Sequence, residues 1–147
     1  MNKYMKIAID EAREGITKGH GGPFGCVIVK DGKIIGKGHN EVIKHMDPTC
    51  HGEMMAISDA CKNLLTHDLE GAELYTTAEP CPMCRGAILW ANINKVYYGC
   101  CVLDTERIGF RDKDFYERKN DFMEELDRDE CMVVFKEYDR IENKPRY

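Results

Sequence analysis

The 147-residue chain has no apolar run near the ~20 residues that a membrane-spanning helix needs. It also lacks a basic excess. Its 21 Lys and Arg stand against 26 Asp and Glu, for a net charge of −5, so nucleic acid is not the expected main partner. No repeat, linker or low-complexity stretch divides the sequence, and a single domain over 1–147 is expected. The opening stretch MNKYMKIAIDEAREGITKG carries acids inside its apolar pattern and has no signal-peptide core, so the expected location is the cytoplasm. Eight Cys are present, but with no export signal they do not read as disulfides, because cytosolic thiols stay reduced. Most read as small buried hydrophobes.

Periodicity then places the elements. Met5, Ala8, Ile9, Ala12 and Ile16 fall at helical spacing, with Asn2 as a cap and Gly19 as a stop. CVIVKDGKIIGKGHN reads as a hairpin turning at Asp31-Gly32. EVIKHMDP reads as a loop, and a helix is expected from His51 through Leu65. AELYTTA (72–78) is a strand, EPCPMCRGAILWAN (79–92) a turn into a helix, and KVYYGCCV (95–102) another strand. This order suggests a sheet with parallel members and helical crossovers. The polar run DTERIGFRDKDFYERKND reads as a loop with at most one helical turn, and FMEEL (122–126) as a short edge strand. Cys131, Val134, Phe135, Tyr138 and Ile141 lie at helical spacing, with Asp127 and Glu130 resembling a capping box.

Two motifs fit no packing role. In PTCHGEMMA, His51 and Glu53 stand two residues apart, which on a helix is about 200° of rotation, so they would point different ways. In PCPMC, Cys81 and Cys84 lie at i and i+3, a spacing that lets both sulfurs reach one metal ion. A lone Cys-x-x-Cys is equally a redox dithiol or half of a structural zinc site. The redox reading leaves His51 and Glu53 unexplained. The structural reading needs a fourth ligand, and Cys26, Cys50 and Cys61 are scattered. His51, Cys81 and Cys84 with one open position make the pattern of a catalytic zinc. Glu53 beside that position could carry a proton.

The motif pair matches the H-x-E…P-C-x-x-C signature of zinc deaminases of nucleobases. The chain resembles the cytidine deaminase-like superfamily and, more narrowly, the small bacterial guanine deaminases. The resemblance rests on GGPFGCVIVKDGKIIGKGHNEV, DPTCHGEMMAI, EPCPMCRGAILWA, GFRDKDFY and the terminal Tyr. It implies an α/β fold, a three-layer α/β/α sandwich around a five-stranded mixed sheet, and a homodimer with exchanged C-terminal segments. It implies Zn²⁺ on His51, Cys81 and Cys84, proton transfer by Glu53, and base contacts from Asn40, Phe24, Trp90, Asp112 and Tyr147. The implied reaction is guanine to xanthine and ammonia. The family's usual residue between the His and the Glu is Ala. Gly52 here is familiar from fungal cytosine deaminases, which keeps cytosine or another nucleobase or nucleoside open. A tRNA adenosine deaminase shares both motifs, although the acidic balance opposes it. A non-catalytic zinc protein would have no use for Glu53.

Read on their own residues, several of these positions have plainer roles. Asn40 could end the hairpin, Asp112 could be solvated, Trp90 could be core and Tyr147 a frayed terminus. His20, His39, His45 and His67 have no ligand spacing to the Cys pair and read as surface or supporting residues.

Overall fold

The computed structural model describes residues 1–147. The chain forms two compact units, residues 1–116 and 117–147.

The first unit begins with α1 (Lys3–Thr17). The Asn2 side chain accepts the Tyr4 and Met5 backbone N–H groups, and Gly19 takes the left-handed conformation just past the end. β1 (Gly25–Lys30) and β2 (Lys33–His39) pair antiparallel around Asp31-Gly32, both at positive φ as a tight hairpin turn requires. The residues read as a loop before His51 include a one-turn helix, α2 (Val42–His45). α3 (Gly52–Leu64), β3 (Glu73–Ala78), α4 (Pro82–Trp90) and β4 (Lys95–Cys100) follow. β3 pairs antiparallel with β1 and parallel with β4, so α4 is the crossover that the sequence order implies.

Alternation along β1 builds two cores. Cys26 and Ile28 face Ala56 and Ala60 of α3 and Ile88 of α4. Val27 and Val29 face Ala8 of α1, with Tyr75 of β3 beside them. Helices therefore cover both faces of the sheet, and β1 is buried on both sides.

The sheet has four strands in the order β2-β1-β3-β4, not the five that the family resemblance implies. FMEEL, expected as an edge strand, forms none. Its apolar side chains Phe122, Met123 and Leu126 are exposed, and the surrounding acids give a strand no face to bury. The polar run after β4 holds two short helices, α5 (Val102–Arg107) and α6 (Asp112–Glu117). In the second unit α7 (Arg128–Asp139) is helical as its spacing requires, but the expected capping box is absent. Asp127 is left-handed at φ 51° and makes no side-chain cap bond.

Candidate active site

Two helix starts build the site. His51 is the N-cap of α3 in an extended conformation, and Cys81 is the N-cap of α4, followed by Pro82 in the first turn. Neither side chain caps its own helix. They turn toward each other instead. His51 Nδ1 lies 3.5 Å from Cys81 Sγ and 3.6 Å from Cys84 Sγ. This resolves the odd His-x-Glu pair. His51 stands outside the helix while Glu53 belongs to its first turn, so helical rotation does not separate them.

The three donors fit one zinc ion. Zn–S near 2.3 Å and Zn–N near 2.0–2.1 Å in a tetrahedron put sulfur and nitrogen about 3.6 Å apart, and both observed separations match. All three ligand atoms lie within 4.8 Å of one another. Both Cys are buried. The Cys81 thiol is pushed down to about 4, first by its hydrogen-bonding interaction with Cys84 and then by His51, with burial opposing. The same pairing pushes Cys84 up. A bound cation would hold both as thiolates.

Glu53 is 6% exposed. Its Oε1 accepts from Thr76 Oγ1 and its Oε2 from Cys84 Sγ, each at 3.4 Å. Burial pushes its carboxyl above the usual range, the direction that suits a proton carrier near neutral pH.

His51, Glu53 and Cys81 open into a cavity of about 240 Å³. Asn40 forms part of its wall. The Asn40 side-chain oxygen accepts from Val42 N–H at 3.1 Å, which turns the amide nitrogen away from that bond. Phe24 also lines the cavity and meets Phe110 edge to face, with ring centroids 4.8 Å apart. Asp112 faces the same space, its carboxyl pushed up by burial and by Cys81.

Residues 1–100 match the family model described as the cytidine and deoxycytidylate deaminase zinc-binding region. The chain belongs to this family. This deaminase is 48% identical over 114 residues to the guanine deaminase of Bacillus subtilis, covering 78% of this chain and 73% of the relative. It is also 48% identical over 95 residues to the tRNA-specific adenosine deaminase of Aquifex aeolicus, covering 65% of this chain and 62% of that one. Among solved structures, guanine deaminase from Bacillus subtilis superimposes with a TM-score of 0.91 at 40% identity, over 100% of this chain and 99% of the other. The cofactor is zinc, and the reaction class is hydrolytic deamination.

Sequence reasoning missed part of the deaminase's pocket. Phe110, Arg111 and Phe115 line it beside Asp112. Within GFRDKDFY the family resemblance points only to Asp112. Tyr116 of α6 donates its hydroxyl to the Pro80 carbonyl, which fastens this segment to the turn before Cys81. Trp90 does not join the residues lining the pocket and is 67% exposed. Six residues beyond Cys84 is about 240° around the helix, so its side chain leaves from another face. Tyr147 lies at the end of the second unit, 79% exposed.

The unusual Gly52 has a steric cause in the deaminase. A Cβ there would lie 2.9 Å from the Phe24 carbonyl oxygen, which accepts the Asn40 backbone N–H at 2.8 Å. Gly52→Ala is therefore expected to lower unfolding stability by about 1–3 kcal/mol, the usual cost of overpacking, and to raise KM by displacing Phe24 and Asn40. Urea unfolding and steady-state kinetics check this. An Ala variant as stable as the parent would show that the backbone yields freely.

Proposed function

We propose that the protein deaminates free guanine to xanthine and ammonia. The observation that carries this reading is the reach of the likeness. The superposition on the Bacillus subtilis guanine deaminase covers 100% of this chain with a TM-score of 0.91, whereas that on a tRNA:A34 deaminase covers 67% with a TM-score of 0.64. The residues beyond the zinc motifs include Phe110, Arg111, Asp112 and Phe115, and these line the cavity.

His51, Cys81 and Cys84 would hold the zinc, which would supply the Lewis acidity that makes water a usable nucleophile at neutral pH. Glu53 takes the proton of the attacking water. It delivers that proton to a ring nitrogen, then takes the second proton from the hydroxyl now on C2 and passes it to the amino group, which leaves as ammonia as the C2–N bond breaks and the C2 carbonyl forms. Asn40 donates its amide to the base, Asp112 accepts from a ring N–H, and Phe24 holds the ring plane. Phe24 and Phe110 give the cavity an apolar wall against which a bound base can lie. The family resemblance gives Tyr147 a part in guanine recognition. A homodimer belongs to this reading, because α7 buries none of its residues and leaves Val133, Val134 and Phe135 exposed. The eight free thiols support a cytoplasmic location.

The test is ammonia release from guanine, cytosine, adenosine, guanosine and a tRNA substrate under one set of conditions. Guanine should exceed the others by about 100-fold or more in kcat/KM, since unpaired buried polar groups penalise a wrong base heavily. No turnover of guanine beside turnover of another of these would overturn the substrate. Conversion of the tRNA would favour the adenosine deaminase relatives.

A further inference from the structure

We infer that His20, His39 and Glu41 form a second divalent-metal site, separate from the catalytic zinc and built behind the wall of the substrate pocket. His20 Nδ1 lies 2.9 Å from His39 Nε2, Glu41 Oε1 lies 3.6 Å from His39 Nε2, and His20 Nδ1 lies 3.9 Å from Glu41 Oε1. Nitrogen and oxygen ligands at 2.0–2.1 Å around a tetrahedral ion stand about 3.4 Å apart. The three observed edges bracket that value, and all three donor atoms lie within 4.8 Å of one another.

The surroundings prepare the donors for a cation. His39 Nδ1 meets Glu11 Oε2 at 2.9 Å, and both residues are buried. An ionised carboxylate only accepts, so Nδ1 carries the proton and Nε2 presents its lone pair to the cluster. Carboxylate behind imidazole is the arrangement that orients metal-binding histidines. Lys37 Nζ, 2.9 Å from Glu11 Oε1, fixes the far oxygen of that carboxylate. His45 Nε2 bonds Glu41 Oε2 at 2.7 Å and leaves Oε1 turned toward the two imidazoles. Lys44 reaches Oε1 at 3.4 Å from a half-exposed position and can swing into solvent.

Without an ion, a single proton on His20 Nδ1 bridges to His39 Nε2. Binding a cation moves that proton to His20 Nε2 and puts both lone pairs on the ion. No net proton is released. Two imidazoles and one carboxylate suit zinc, cobalt or nickel rather than magnesium or calcium. An entry path exists, since Glu11, His39 and Glu41 line a second cavity of about 410 Å³.

The site joins the loop after α1, the end of β2 and the start of α2. His20 leads directly into Gly21, Gly22 and Phe24, and Asn40 stands between two of the ligands. The ion would therefore stiffen the wall that contacts substrate.

Cobalt titration of the zinc-loaded protein, followed by equilibrium dialysis and elemental analysis, tests the site. The parent should bind one further cobalt per chain with a rise in Tm. His20→Ala and the near-isosteric Glu41→Gln should each keep the first zinc and lose the further equivalent or weaken it about 10-fold or more. Retained zinc and circular dichroism verify folding of each variant. No further equivalent in the parent would overturn the proposal, and so would one that persists undiminished in either folded variant. The readout is stoichiometry, so its failure is distinct from a failure of guanine turnover.

Discussion

Glu53→Gln should keep a full equivalent of zinc and lose about 10²–10⁴-fold in kcat, the range for removing a positioned acid–base group. The amide preserves shape and can still engage Thr76 and Cys84, which meet the two Glu53 oxygens at 3.4 Å. It cannot take a proton from water. KM should change little, because Asn40, Phe24 and Asp112 line the pocket independently of this carboxylate. Elemental analysis beside steady-state kinetics separates lost metal from lost chemistry. A Gln variant that turns over within a few-fold of the parent would remove Glu53 from the proton path.

Chelation should abolish turnover and lower Tm by roughly 10 °C. That size corresponds to about 4 kcal/mol from a ligand present at about a thousand times its dissociation constant, in a chain of this length. The ligands join the starts of α3 and α4 across 30 residues of sequence between His51 and Cys81. Without the ion, the two thiols and the imidazole contribute only weak hydrogen bonds to that junction. Differential scanning calorimetry and restoration by added zinc check this. Activity persisting in protein verified to be metal-free would reject the mechanism.

The parts of the fold with a local signal were legible in the sequence. Asn2, Asp31-Gly32 and the spacing of Cys81 and Cys84 each encode their structure within four residues. α2, α5 and α6 are only 4, 6 and 6 residues long, too short to display a period, and the polar runs that hold them read as loops. FMEEL and the capping box at Asp127 look right by residue type and fail because nothing packs on the one and the backbone of the other is left-handed. Phe110 and Phe115 become pocket residues only through tertiary placement. His20 and His39 stand 19 residues apart and meet through the path of the chain from α1 to the end of β2, so no motif spacing could announce them. Gly52, which invited a reading about substrate, answers to the Phe24 carbonyl.

The two helix starts also limit what an engineer can do. A Ser, Thr, Asp or Asn at an N-cap is a routine route to a more heat-resistant protein, worth about 0.5–2 kcal/mol. At positions 51 and 81 that route is closed, because each N-cap side chain faces the metal cluster rather than its own backbone. The start of α7 carries no such duty. Its N-cap Asp127 is left-handed and makes no cap bond, so redesign for robustness belongs there, where the chemistry is not at stake.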